Sequence, residues 1–129
     1  MLIKPETCNG CPLYCLPFGK TNGYVPADGS GANGVLIVLE AAGQDEEEVG
    51  IPTVGRAGQY LWGQLKRVGL ERGDFKIHNV LSCRPPGNQL GPKYPYTDAA
   101  IAHCAPNLDR TISEMKAQHQ SSGKMFNIL

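Results

Sequence analysis

Residues 35–59 read VLIVLEAAGQDEEEVGIPTVGRAGQ. The unbroken apolar run over residues 35–39 predicts a strand buried on both faces, the pattern of a parallel sheet. It runs straight into Glu40, then into an acidic, glycine-punctuated loop over residues 40–55, then into the start of a helix. Open α/β sheets place their chemistry beyond the carboxyl ends of the strands, so this loop is the candidate site.

Downstream, Leu61, Leu65 and Val68 fall on one face of a helix predicted over residues 57–68, with Gly69 as its stop. FKIHNVL at 75–81 reads as a second strand. Strand, helix and strand over this length form a βαβ unit, so the two strands are expected to be parallel. The prolines of residues 83–97 exclude regular structure there. Thr97 is expected to cap a helix over 98–104. Pro106 then marks a kink or the first turn of a further helix, with an apolar stripe of Leu108, Ile112 and Met115. A third apolar strand is due after that helix, but the chain gives the polar run AQHQSSGKMFNIL and stops. A truncated C-terminus and a frayed tail are both open readings.

At 129 residues the chain is read as one domain with a small core. Twelve Lys+Arg balance twelve Asp+Glu, so bulk charge argues neither for nor against nucleic acid. No apolar run of about 18 residues offers a membrane span, and the N-terminus lacks the apolar core of a signal peptide. A reducing cytoplasm is the expected compartment. Residues 1–34 are turn-rich and carry Cys8, Cys11 and Cys15; they are read as a connector lying on the surface.

In a reducing compartment cysteines point to metal or reactive thiols rather than to disulfides. Cys8-x2-Cys11 with the distant Cys83 and Cys104 suits four thiolates around one centre, either zinc or an iron–sulfur cluster. Spacing alone leans to zinc, and Cys15 is a fifth thiol, either a spare or a substitute ligand.

Together, CxxCPL near the N-terminus, EAAGQDEEEVGIPTVGRAG after a strand, and HNVLSCRPPGN before a last cysteine resemble the family 4 uracil-DNA glycosylases and their phage-type relatives, which carry a 4Fe-4S cluster. The resemblance covers roughly residues 8–115. It implies a three-layer α/β/α fold with a short parallel sheet, here incomplete, and a 4Fe-4S cluster on Cys8, Cys11, Cys83 and Cys104. It implies uracil-containing DNA as the partner; a monomer is expected. The family's G-E-A/G-P-G motif reads Leu39-Glu40-Ala41-Ala42-Gly43, and its G-x-P-F-V-G reads Gly50-Ile51-Pro52-Thr53-Val54-Gly55. Thr53 thus stands where a phenylalanine stacks on the flipped base. Asn79 matches the asparagine that reads the uracil edge, and Asn88 a further motif asparagine. The family's His-Pro-Ser-like second motif is absent.

Excising a base requires taking it out of the stack, reading its edge and stabilising an anionic leaving group. Glu40, Glu46 and Asn88 are the catalytic candidates, with Asp45 as the alternative carboxylate to Glu46, and Ala41, Gly43, Thr53 and Asn79 are the base-binding ones. Asn79 offers donor and acceptor together, matching uracil O4 and N3–H. Backbone N–H groups around Ala41, Ala42 and Gly43 can face the carbonyl where charge develops. Arg56, Lys66, Arg67, Arg84 and Lys93 are candidate phosphate contacts. The rivals are a non-catalytic iron–sulfur or zinc module that binds DNA or a protein partner, and a redox protein using the Cys8/Cys11 pair.

Overall fold

The computed structural model describes residues 5–13, 23–123 and 125–129. Cys15 lies outside the described residues. The elements run β1 (Val35–Ala41), α1 (Gln44–Val49), α2 (Arg56–Arg67), β2 (Lys76–Leu81), α3 (Tyr96–Ser122) and β3 (Asn127–Ile128).

The predicted βαβ unit is present. β1 and β2 pair in parallel from Leu36↔Lys76 to Ala41↔Leu81. β1 is central in the order β2-β1-β3. Trp62 and Leu65 of α2 cover Ile37, Phe75 and Ile77 on one face of the sheet. α3 covers the other face, where His78 meets Thr111, and at the end of β2 its Ala100 and Cys104 pack with Leu81 and Cys83. Helices on both faces of a short parallel sheet are the expected three layers.

α2 ends as its sequence predicts. Gly69 takes φ 83° and donates to Lys66 O while Leu70 donates to Leu65 O, so two orphan carbonyls of the last turn are satisfied. Val68 lies outside the buried stripe: it is the residue that closes the helix and is 71% exposed.

Four expectations need correction. The acidic stretch is not all loop: residues 44–49 form α1, stopped by Gly50 at φ 81°. The helix after the proline-rich segment is one helix rather than two, and it runs through Pro106. Proline removes one intrahelical bond, to the carbonyl of residue 102. Ala102 and Pro106 are both exposed, so that carbonyl is left to solvent. Thr97 lies inside this helix rather than at its cap; its hydroxyl accepts from Gly91 N at 3.2 Å and so ties down the loop before it. The face that α3 buries is Thr97, Ala100, Cys104, Asn107, Thr111, Met115 and His119, with Leu108 and Ile112 at its margin.

The tail is neither polar throughout nor frayed. β3 extends the sheet parallel to β1, Val35↔Asn127 and Leu36↔Ile128, and Leu129 exchanges two backbone bonds with Leu36 and Val38. The N-terminal connector is also more than a surface strap. Tyr24 bridges Cys83 and Asp28 bridges Ile77, both antiparallel, so residues 24–28 cover the outer edge of β2 and bury Val25. Covered edges resist unwanted pairing. Among the described residues no helix is long and apolar enough to cross a membrane.

Candidate functional site

A pocket of about 360 Å³ opens at the carboxyl ends of β1 and β2. Leu39 and Ala41 of β1 and Asn79 of β2 form its floor, because Leu39 and Asn79 are register partners facing the same side. The acidic segment supplies one wall through Asp45 and Glu46, Thr53 the next, and the first turn of α2 a third. Asn88 closes the rim. Six of the seven predicted site residues therefore meet here: Ala41, Gly43, Glu46, Thr53, Asn79 and Asn88. Glu40 does not. Strand alternation turns it into a neighbouring recess of about 160 Å³, which shares Ala41, Gly43 and Asn88 with the main pocket.

Asn79 is 4% exposed, and its side-chain amide makes no hydrogen bond to another described residue. Buried polar groups are normally satisfied. An amide held at a pocket floor with both donor and acceptor unused is set for a ligand edge.

Glu46 is fully engaged. Its Oε1 accepts from Gly43 N at 3.0 Å, and its Oε2 accepts from Val54 N at 2.8 Å and Gly55 N at 2.6 Å. Gly43 and Gly55 are the N-cap residues of α1 and α2. One carboxylate therefore joins both helix starts, where negative charge also suits the helix dipoles. The same bond removes Gly43 N–H from the amides expected to face a ligand. The carboxylate left open on the pocket wall is Asp45, which is exposed.

Thr53 adopts φ 57°, a costly conformation for a β-branched residue. Its surroundings impose it. Trp62 Nε1 donates to Thr53 O at 2.8 Å, and Arg72 Nη2 donates to Pro52 O at 2.6 Å. Arg72 also pairs with Asp28 at 2.6 Å and lies 5.3 Å from the Trp62 ring centroid. The guanidinium holds the Asp28 carboxyl below its usual range, ahead of an opposing burial effect. Gly58 completes the clamp: a Cβ there would stand 2.0 Å from Thr53 O. Nothing in the spacing marks Arg72 and Gly58 as parts of this clamp, and Trp62 also packs against Phe75 at 6.1 Å between ring centroids.

Arg84, a candidate phosphate contact, donates from Nε to Asn88 Oδ1 at 2.7 Å and approaches buried Glu47 at 3.9 Å. Burial raises the Glu47 pKa, and Arg84 opposes the rise. Arg56 is exposed at the pocket mouth, while Lys66, Arg67 and Lys93 are exposed outside its lining. His78, His103 and His119 do not line it either.

The four cysteines predicted as ligands converge. Cys83 and Cys104 lie in one apolar cluster with Leu13, and Cys11 and Tyr24 pack against it. Burial raises the Tyr24 pKa, and the neighbouring Cys8, Cys83 and Cys104 raise it further. Burial likewise raises Cys104, which also feels Cys11 and Cys8. The donor set is soft and drawn from three parts of the chain, the chemistry of a zinc or iron–sulfur centre. Among the described residues no three such side chains already stand in coordinating geometry. The sulfurs are gathered but not closed on a common point.

Residues 26–120 match the family of the Uracil DNA glycosylase superfamily. The chain is 41% identical over 115 residues to a type-4 uracil-DNA glycosylase of Pyrobaculum aerophilum, covering 89% of this chain and 53% of that protein. It is 45% identical over 83 residues to one of Archaeoglobus fulgidus, covering 64% of this chain and 40% of that protein. It is 38% identical over 100 residues to one of Thermotoga maritima, covering 78% and 49%. The chain spans about half the length of the curated relatives it matches. With its βαβ core and its strand-end pocket, the chain belongs to the Uracil DNA glycosylase superfamily.

Proposed function

We propose that the pocket holds a uracil flipped out of DNA and that the chain takes part in hydrolysing its N-glycosidic bond. The Asn79 amide on the pocket floor, without a side-chain hydrogen bond among the described residues, carries this reading. Its Nδ2 donates to uracil O4 and its Oδ1 accepts from N3–H. The first-turn amides of Arg56, Ala57 and Gly58 have no intrahelical acceptor and border the same space. Positive partial charge there stabilises the anion that forms as the base departs. Water attacks the sugar C1′, the C1′–N1 bond breaks with its electron pair going to the base, and the proton released by the water ends on the departing uracil anion through solvent. Asp45 is the carboxylate placed to orient that water and to balance the cationic sugar, with Glu40 in reach of the neighbouring recess. Glu46 acts as a positioning residue, since its oxygens are spent on the loop. Asn88 orients the rim through its Nδ2 while Arg84 holds its oxygen.

Cys8, Cys11, Cys83 and Cys104 would hold a 4Fe-4S cluster, with zinc as the alternative. Such a centre supplies a covalent cross-link between the N-terminal segment, the end of β2 and α3. Thiolate metal chemistry suits the reducing cytoplasm. The acting unit is taken as a monomer on uracil-containing DNA.

A second reading is a base-binding module without turnover. It is favoured by the lack of histidine in the pocket lining among the described residues. Incubating the purified protein with uracil-containing single- and double-stranded oligonucleotides, then cleaving abasic sites with alkali, separates the two. Strand scission that is lost in Asn79→Leu supports the enzyme. Binding without scission, at full metal content, supports the module.

A further inference from the structure

α3 grips the cysteine-bearing turn at two points. His103 Nδ1 lies 2.8 Å from Thr7 O, and Thr7 Oγ1 donates to Asn107 Oδ1 at 2.9 Å. Thr7 is the neighbour of Cys8, and Asn107 stands one turn along the buried face of α3 from Cys104. Asn107 is 6% exposed, yet its Nδ2 has no hydrogen-bond partner among the described residues. An orphaned buried donor costs on the order of 1–3 kcal/mol, so an asparagine is a poor choice here unless its N–H has an acceptor in the working protein. Leucine would fill the same space without that cost.

We propose that Asn107 is a positioning residue of the thiolate centre: its oxygen fastens Thr7 beside Cys8, and its N–H donates to a sulfur of the loaded centre. This rests on the reading that the four cysteines hold a metal. Thiolate and inorganic sulfur accept hydrogen bonds, and such bonds tune the metal–sulfur bond and hold the ligand in place. Uncharged thiols are weak acceptors, which fits an Nδ2 left without an acceptor one helical turn from Cys104.

The test uses the full chain isolated with its metal. Wild type, Asn107→Leu, Asn107→Asp and Thr7→Val are compared by metal analysis, by the rate of metal loss to a chelator, and by the Fe–S(Cys) stretching bands in resonance Raman spectra. Asn107→Leu is expected to lose metal roughly tenfold faster, the size typical of groups that orient metal ligands, and to shift the Raman bands. Asn107→Asp keeps the acceptor for Thr7 but lacks the N–H, so it should shift the bands too. Thr7→Val removes only the tether and should leave them in place. Wild-type bands and wild-type metal loss in both Asn107 variants overturn the role of Asn107 while leaving the centre intact. A wild-type protein that binds neither iron nor zinc overturns the centre itself, and with it this role. If the metal is zinc, the chelator rates alone decide.

Discussion

Glu46 Oε2 stands 2.6 Å from Gly55 N, so the carboxylate at the third position of α1 anchors the first residue of α2's cap. With its bonds to Gly43 and Val54, this one side chain fixes the separation of two helix starts and the loop between them. The pocket's shape follows from that fixture.

Glu46→Gln keeps an acceptor for one helix start but presents an amide donor to the other, whose N–H groups cannot use it. Hydrogen bonds to a charged group contribute about 1.5–3 kcal/mol each, so a net loss of about 2 kcal/mol is expected. Urea unfolding monitored by circular dichroism reads it. A variant as stable as wild type would show that the carboxylate is not holding the loop.

Gly58→Ala and Gly63→Ala sit on the same helix and should move stability in opposite directions. Ala is favoured over Gly in a helix by roughly 0.5–1 kcal/mol, and a Cβ at Gly63 meets nothing within 4 Å. At Gly58 the Cβ would reach 2.0 Å from Thr53 O and force the loop away. Thermal unfolding should rise for Gly63→Ala and fall for Gly58→Ala. Stabilisation by both would show that α2 does not press on Thr53.

His78 makes stability fall in mild acid. Its Nδ1 meets Thr111 Oγ1 at 2.9 Å, its Nε2 is buried without a partner, and burial, aided by Lys76, lowers its pKa from 6.5 to about 4. The folded state therefore resists a proton that the unfolded chain accepts. The stability present above pH 6.5 is lost as pH falls toward 4, by up to about 3 kcal/mol. His78→Leu removes this slope in denaturation curves taken between those pH values. An unchanged slope would assign it to other groups.

The parts of the fold that were legible in the sequence are those whose burial is apolar and continuous. β1 announces itself by an unbroken apolar run and α2 by a 3.6-period one, while β2 is interrupted by His78 and Asn79. The exclusion of regular structure over residues 83–97 holds only in part, because Pro86–Asn88 form a single 3-10 turn and α3 starts at Tyr96. α3 was harder, because its buried face is built from Thr97, Asn107, Thr111 and His119, which periodicity scores as solvent-facing. These residues are buried because partners elsewhere receive them: Thr7, His78 and the carbonyl of Gly31. β3 was invisible because two exposed residues at a sheet edge carry no pattern. The pocket floor was legible, since strand ends locate it. What Glu46 and Arg72 do was not, because spacing along a chain does not say whether a charge faces a ligand or a loop. Arg72 meets Asp28 across 44 residues and Pro52 across 20.

The sulfurs give a further expectation. If the centre cross-links residues 8 and 11 to 83 and 104, removing metal with a chelator under reducing conditions should loosen the N-terminal segment first. Proteolysis at residues 5–30 should then precede cleavage within β1 and β2, as follows when a ligand stabilises the state that binds it. Simultaneous loss of all regions, or no change, would contradict this order.

The central claim is that Asn79 reads a pyrimidine edge at the floor of the strand-end pocket. It is tested most directly by NMR titration of free uracil into the protein, following the Asn79 side-chain amide. The account predicts that the Nδ2 protons shift downfield and saturate with uracil, and that Asn79→Leu abolishes binding. An Asn79 amide that stays still while uracil binds elsewhere, or uracil binding of equal strength in Asn79→Leu, would contradict it.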